Sequence, residues 1–106
     1  MYECFTGLPP FNAESVEQVH RNIIRGSIQW PTHYGEGEDE EEISDEALDL
    51  MKRLLEPDPK QRLGSKGIQE IKDHAFFADI DWKTMLKSPV PYKPEIEPVE
   101  MENVDA

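Results

Sequence analysis

Cysteine is nearly absent from this sequence of 106 residues, because Cys4 is the only one. An internal disulfide needs two cysteines, and a cysteine-rich zinc site needs several, so the chain can form neither. A single cysteine is compatible with a reducing compartment. We expect Cys4 to be a small core residue of a short N-terminal helix.

Long hydrophobic runs are also missing, and hydrophobic residues make up only 37% of the chain. No stretch has the length of a membrane span, and the N-terminus, which contains Glu3, has no apolar signal segment. The sequence therefore predicts a protein without a membrane partner. We expect it to lie inside the cell, in the cytoplasm, the nucleus or both.

Positive charge is scarce, since 11 basic residues accompany 23 acidic ones and the formal net charge is −12. Six acidic residues lie in the run 36–42 and five more follow Lys93, which leaves twelve against eleven basic residues elsewhere. We predict that both acidic segments are solvated and flexible, the first as a loop insertion. Their charge repels phosphate backbones and argues against a nucleic-acid partner.

No grouping of residues in the sequence points to a catalytic or metal site. His20, His33 and His74 are widely separated and lie in no metal-ligand spacing, so surface or capping positions are expected. The acidic run lacks the ordered spacing and turn glycine of a calcium loop. No serine has the setting of a nucleophile elbow. We therefore assign no catalytic, cofactor-binding or metal-binding residue to this chain.

Helical periodicity predicts most of the secondary structure. Residues 15–18 have the pattern of a capping box, in which Ser15 caps an amide and Gln18 reaches back, and an apolar stripe follows as far as Gly26. Ser44 begins the clearest helix. A further short helix is expected over 67–74. Because no strand pattern alternates, the predicted fold is all-α with long connections.

The N-terminal segment has a helix stop without a helix start. Gly7, followed by Pro9 and Pro10, ends a helix of fewer than two turns that has no cap in front of it. We interpret this segment as the end of a helix that begins upstream of the chain.

Aromatic residues and prolines dominate the C-terminal part. Phe76, Phe77, Ile80 and Trp82 form a cluster too dense to remain in water, and Trp30 in its short connector also needs a pocket. From residue 88 onward, four prolines predict an extended segment with a disordered acidic end.

The loop Gly64-Ser65-Lys66-Gly67 allows two interpretations. A G-x-x-G loop between two helices is how one class of RNA-binding module clamps a nucleic-acid backbone. The strands of that module are missing and the net charge is negative. We therefore favour a glycine-rich turn between helices.

Four stretches, in this order, resemble the AGC serine/threonine protein kinases. YECFTGLPPF (2–11) resembles the end of helix F and the approach to helix G. SDEALDL with LLEPDPKQRLG (44–64) resembles helix H and its following loop. GIQEIKDHAFF with IDW (67–82) resembles helix I, and PYKP (91–94) is similar to the start of the C-terminal tail of these kinases.

The resemblance implies a partial kinase C-lobe. The all-α fold would contain the end of helix F and helices G, H and I over residues 1–87. The beginning of the AGC tail would follow over 88–106. Residues 28–31 and the acidic insertion are most similar to the Greatwall and microtubule-associated kinase branch. Ala75 departs from the family pattern, in which proline is usual.

The resemblance also implies a function for the intact protein, which would transfer the ATP γ-phosphoryl group to serine or threonine of protein substrates with magnesium. The phosphate loop, the ATP-contacting lysine and the catalytic and magnesium aspartates of the family have no counterpart in this sequence. We therefore expect no ATP or magnesium site and no activity in this chain alone. The alternative is a non-catalytic kinase remnant that acts by binding proteins.

Individual residues acquire roles through the family. The counterpart of Arg62 forms a buried ion pair with the glutamate of an A-P-E motif, which is absent here, so we expect Arg62 to be exposed or paired with a nearby acid. The region of helix G helps to dock substrates and regulators, although core packing of the same stripe is the alternative. The docking candidates are Val16, Val19 and Ile23, and structural roles fall to Phe76, Phe77 and Trp82. The oligomeric state stays open.

Overall fold

The computed structural model describes residues 1–97, and most of their regular structure is helical. The α-helices are α1 (Tyr2–Thr6), α2 (Val16–Arg25), α3 (Asp45–Leu54) and α4 (Ile68–Lys72). The strands are β1 (His33–Tyr34) and β2 (Glu41–Glu42), and 3₁₀ turns span Gly37–Asp39, Ala75–Phe77 and Met85–Lys87. No helix among residues 1–97 has the length and apolar character needed to cross a membrane.

Helix α2 begins and ends where its capping residues predict. Ser15 Oγ accepts a hydrogen bond from the backbone N–H of Gln18 at 3.2 Å, and Gly26 ends the helix in the left-handed region at φ 65°. The capping box is only half formed, because the Gln18 side chain donates to Asn22 Oδ1 at 3.0 Å instead of reaching back. No residue of α2 is buried.

Helix α3 supplies the core. Ser44 Oγ accepts a hydrogen bond from the backbone N–H of Ala47 at 3.1 Å, and the two acidic residues of the first turn complement the helix dipole. The apolar stripe predicted for this helix faces the interior, and each large side chain buried there contributes about 1.5–3 kcal/mol. The buried residues are Ile43, Ala47, Leu50 and Met51.

Aromatic side chains from distant parts of the chain cover this core. The rings of Tyr2 and Trp30 meet edge-on with centroids 6.0 Å apart, and those of Phe5 and Tyr34 meet at 5.1 Å. All four residues pack against the buried cluster. Trp30 therefore has the pocket that was expected for it, and Lys52 Nζ lies 5.7 Å from its ring centroid.

Helix α1 is short and ends at Gly7, which adopts the left-handed conformation at φ 77°. The Tyr2 hydroxyl donates to the backbone carbonyl of Gln29, which ties α1 to the connector before β1. The expectation of a buried Cys4 is wrong, since this residue is exposed. Tyr2 and Phe5 occupy the face of α1 that meets the core, so Cys4 points away from it.

The acidic run forms a hairpin rather than an irregular loop. Strands β1 and β2 pair antiparallel, with His33 opposite Glu42 and Tyr34 opposite Glu41. The all-α prediction is correct in outline and incomplete here, because strands of two residues are too short to show alternation. The acidic side chains themselves are exposed, as a solvated run requires.

One hydrogen bond and one glycine turn define the hairpin. The Tyr34 hydroxyl donates to Glu41 Oε2 at 2.7 Å, and this hydrogen bond to a carboxylate raises the pKa of Tyr34 above its ordinary value. Gly35 has φ 85° and passes so close to Asp39 that an added Cβ would lie 2.6 Å from the Asp39 carbonyl oxygen. Glycine is therefore required at this turn.

The C-terminal part has less regular structure. Helix α4 is shorter than the predicted span 67–74, and residues 88–97 are exposed and contain no helix or strand, in agreement with an extended segment. The predicted disorder of the acidic end concerns 98–106, which lie outside the described residues.

Candidate functional site

The three docking candidates lie on α2, and none of them is buried. Val16 exposes 71% of its surface and Ile23 exposes 50%, whereas Val19 is half-buried. Ile24 on the same helix exposes 83%. Among residues 1–97, therefore, no side chain of this stripe is fully buried.

An open groove of about 370 Å³ separates α2 from the segment that follows α3. The two elements come close at the end of α2, where a Cβ added to Gly26 would lie 2.8 Å from Pro57 Cγ. Elsewhere the gap is lined mainly by apolar side chains, so a ligand of this groove would have to be largely apolar. The lining residues are Phe11, Ile23, Ile24, Gly26, Leu54, Leu55, Pro57 and Arg62.

Arg62 borders this groove and is exposed to solvent. Its Nε donates to the backbone carbonyl of Glu56 at 2.9 Å, and its Nη2 donates to that of Pro57 at 3.4 Å. Within the described part of the chain it forms no ion pair with a carboxylate. This is the exposed one of the two expected arrangements, and the guanidinium satisfies carbonyls in the turn after α3.

Phe76, Phe77 and Trp82 form the expected cluster. The ring of Phe77 meets those of Phe76 and Trp82 edge-on, with centroids 5.1 and 5.3 Å apart. The Trp82 indole N–H donates to the Lys72 carbonyl at 3.4 Å, and Lys72 Nζ lies 5.4 Å from the indole centroid. Phe76 and Trp82 nevertheless expose 41% and 37% of their surfaces, so the cluster is only partly withdrawn from water.

A polar contact that sequence reasoning missed joins α3 to the Ala75–Phe77 turn. His74 Nε2 lies 2.7 Å from Asp49 Oδ2, and Arg53 Nε lies 2.8 Å from the same oxygen. The backbone N–H of Phe76 donates to His74 Nδ1 at 3.0 Å. The proton of the neutral imidazole must therefore lie on Nε2, which donates it to Asp49.

This contact has an electrostatic consequence for Asp49. The hydrogen bond from His74 and then that from Arg53 lower the pKa of the Asp49 carboxyl group below its ordinary value of 3.8. The His74 side chain is 8% exposed, and its capping position agrees with the expectation for the histidines. Asp49 and His74 are 25 residues apart, so helical or strand periodicity carries no signal for their contact.

The Gly64–Gly67 loop is closed by a carboxylate. Glu70 Oε2 accepts hydrogen bonds from the backbone N–H groups of Gly64 and Lys66, each at 3.3 Å. A negatively charged side chain thus occupies the amides that would face a nucleic-acid phosphate. The geometry is that of a turn between two helices, which is the interpretation that we favoured.

Two observations on residues 1–97 concern the groups that could hold a metal ion or a phosphate. Among residues 1–97, no three histidine, cysteine, aspartate or glutamate side chains converge in a way that would hold a metal ion. The loop that carries two glycines has its amides occupied by Glu70.

Comparison with known proteins assigns the chain to a family. The model of the protein kinase domain family matches residues 1–77 of the chain. Over 96 residues the chain is 44% identical to serine/threonine-protein kinase RIM15 of Saccharomyces cerevisiae, a match that covers 91% of this chain and 5% of the yeast protein. The chain thus belongs to the protein kinase family, and its mainly helical arrangement is compatible with part of a kinase C-lobe.

Other relatives agree with this assignment. The chain is 44% identical over 97 residues to probable serine/threonine-protein kinase pkgA of Dictyostelium discoideum, covering 92% of this chain and 6% of that protein. It is 40% identical over 99 residues to serine/threonine-protein kinase gad8 of Schizosaccharomyces pombe, covering 92% and 16% respectively. The chain therefore spans only a small part of the length of the relatives that it matches.

Proposed function

We propose that this chain is the C-lobe part of an AGC-type serine/threonine protein kinase, with the beginning of the AGC tail over 88–106. The complete protein would transfer the γ-phosphoryl group of ATP, with magnesium, to serine or threonine of protein substrates inside the cell. The observation that carries this proposal is the protein kinase domain match over residues 1–77, together with the identity to serine/threonine kinases.

Within the AGC kinases, we place the chain in the Greatwall and microtubule-associated kinase branch. Two features support this finer assignment. The connector 28–31 carries Trp30 into the core, and the acidic hairpin follows directly after it. The hairpin is fixed by the contact between Tyr34 and Glu41 and is therefore a defined element of this chain.

The chain by itself is expected to transfer no phosphate. Phosphoryl transfer depends on positioned phosphate-binding amides, a lysine, and aspartates that hold magnesium and the acceptor hydroxyl. The 106 residues contain no stretch with these motifs. ATP and magnesium would therefore bind to another part of the complete protein.

Helix α2 is the proposed contact surface for protein substrates or regulators. Val16, Val19 and Ile23 form an apolar stripe of which no member is fully buried among the described residues, and the groove beside Arg62 extends it. Burial of such side chains by a partner would be favourable at about 25 cal/mol per Å² of apolar surface. The same observation favours the second candidate function, a non-catalytic module that acts only by binding.

Isolation of the endogenous protein with an antibody against the acidic hairpin separates the two functions. We expect a polypeptide much longer than 106 residues that phosphorylates serine or threonine peptides, while the isolated chain shows no transfer above background. In the longer protein, Ile23→Glu should raise the KM for protein substrates, whereas Leu86→Glu at another exposed position should not. An endogenous polypeptide of 106 residues without activity would contradict the kinase proposal and favour the binding module.

A further inference from the structure

Ser88 has a sequence setting that no other hydroxyl residue of the chain shares. It is the only serine or threonine that is followed directly by proline. The residue is exposed, and its backbone angles of φ −75° and ψ 150° are close to those of polyproline II. Because Pro89 restricts the preceding residue to this extended region, the conformation is favoured by local sterics.

An exposed, extended Ser-Pro segment suits enzymes that bind their substrates as extended peptides. The conformation is already formed, so little conformational entropy is lost when the segment enters a groove. Pro89 also carries no backbone N–H. A groove that leaves this position without an acceptor therefore selects proline, because any other residue would bury an unpaired donor at a cost of about 1–3 kcal/mol.

We propose that Ser88 is a phosphorylation site for a separate, proline-directed serine/threonine protein kinase. Ser88 Oγ attacks the γ-phosphorus of magnesium-bound ATP held by that kinase. The new Oγ–P bond forms as the bond between the γ-phosphorus and its bridging oxygen breaks. ADP leaves, and the hydroxyl proton passes to a carboxylate base of the modifying kinase.

Phosphorylation would change a hydrogen bond that the structure contains. In the unmodified chain, the Ser88 hydroxyl and the Ser88 backbone N–H both donate to the Thr84 carbonyl at 2.9 Å and close the Met85–Lys87 turn. A phosphate at pH 7 adds about −1.5 to −2 charge and replaces this donor. Its charge then lies beside the carbonyls at the end of the turn, so the modification should loosen the turn.

The test treats the 106-residue chain with magnesium-ATP and purified proline-directed kinases of the cyclin-dependent and mitogen-activated classes. Intact mass and peptide fragmentation should locate one added phosphoryl group on Ser88. Ser88→Thr keeps the hydroxyl and should still be modified. Pro89→Ala keeps Ser88 itself and should reduce modification to background. Ser88→Thr and Pro89→Ala form a matched pair, because both changes lie in the same exposed segment.

Three results would overturn parts of this proposal. Absence of phosphate on Ser88 with both classes of kinase would remove the site. Equal modification of the wild type and Pro89→Ala would contradict the proposal that proline is required. Unchanged hydrogen-exchange protection of the Ser88 amide after phosphorylation would contradict the proposal that the turn is loosened. None of these outcomes depends on whether the protein that contains this chain is itself an active kinase.

Discussion

Helices α2 and α3 are nearly matched in sequence terms and opposite in structural role. Each has ten residues, each begins after a serine whose hydroxyl caps the helix, and each carries an apolar stripe. Helix α3 buries three residues, whereas α2 buries none. Amphipathic periodicity therefore predicts where a helix forms and which face is apolar, but not whether that face is covered.

The difference between the two helices comes from the side chains that pack against their apolar stripes. Ala47 and Met51 of the α3 stripe are covered by aromatic residues that arrive from three other segments, namely Tyr2, Phe5, Trp30 and Tyr34. The stripe of α2 borders an open groove, and the helix end approaches the segment after α3 closely at Gly26 and Pro57. We propose this uncovered stripe as a partner surface, and for that reason the contrast between the two helices bears on the proposed function.

The largest effect should come from truncating the two stripes. Met51 is 1% exposed, and Met51→Ala should lower the free energy of unfolding by about 2–5 kcal/mol through lost burial and a residual cavity. Ile24 is 83% exposed, and Ile24→Ala should change it by less than about 0.5 kcal/mol. Urea denaturation of both variants beside the wild type measures the two changes.

Equal losses in the free energy of unfolding for Met51→Ala and Ile24→Ala would contradict the contrast between a covered α3 and an open α2. Such a result would mean that α2 is covered in solution, for example by a second copy of the chain. Repeating the denaturation at several protein concentrations would then separate self-association from packing within one chain, because only self-association depends on concentration.

Replacement of the capping serines should have an effect of intermediate size and should also distinguish the two helices. Ser44→Ala and Ser15→Ala each remove one hydrogen bond to a backbone N–H at a helix start, a loss of about 1 kcal/mol for the helix concerned. For α3 this loss should appear in the global free energy of unfolding, because the core depends on that helix. For α2 it should appear as faster amide exchange within Val16–Arg25, with a smaller change in global stability.

A large global loss in the Ser15→Ala variant would contradict the view that α2 folds locally. Ser65→Ala supplies a control, since Ser65 is exposed and caps no helix. Its hydroxyl donates to the Lys60 carbonyl at 3.2 Å, so its replacement removes one exposed hydrogen bond without affecting α2 or α3.

The smallest effect should be the pH dependence that Asp49 adds to α3. The pKa of Asp49 is lowered in the folded chain by its hydrogen bond to His74 and then by that to Arg53. Its stabilising contribution is therefore complete above the ordinary pKa of 3.8 and is lost as the pH falls through the lower, folded pKa. Asp49→Asn should remove this component, and solvent screening of the half-exposed carboxylate keeps it modest.

Denaturation of the wild type and Asp49→Asn between neutral pH and strong acid measures this component. Asp79→Asn is the control, because Asp79 is exposed, lies outside the α-helices and forms no ion pair among the described residues. An identical pH profile for the wild type and Asp49→Asn would show that the contact with His74 and Arg53 does not contribute to stability.

Sequence reasoning succeeded where the cause is local. Capping serines set the starts of α2 and α3, and Gly26 ends α2, because each of these residues acts on amides or dihedral angles within a few positions. Helix α3 has no glycine at its end, where Leu55 is the capping residue. Sequence reasoning failed for the Gln18 side chain, which has two partners within reach and donates to Asn22. It failed for Cys4 because the apolar character of a short helix does not specify which of its faces meets a core.

For the candidate site, the sequence predicts the residues but not their environments. Val16, Val19 and Ile23 follow from helical spacing and family resemblance, and only the structure shows that Val16 and Ile23 are exposed while Val19 is half-buried. The exposed position of Arg62 was one of two expectations, and its carbonyl partners were not foreseen. The contact between Asp49 and His74 joins two segments whose separation in the chain carries no periodic signal.

The sequence by itself determined the helices, their caps, the apolar stripes and the kinase resemblance, because these depend on residues that are close together in the chain. Only the tertiary structure decided that the acidic run is a paired hairpin, that α3 is enclosed and that α2 is open. The physical reason is that burial is a property of two surfaces. A stripe on one helix has no defined environment until distant residues such as Phe5 and Trp30 arrive to cover it.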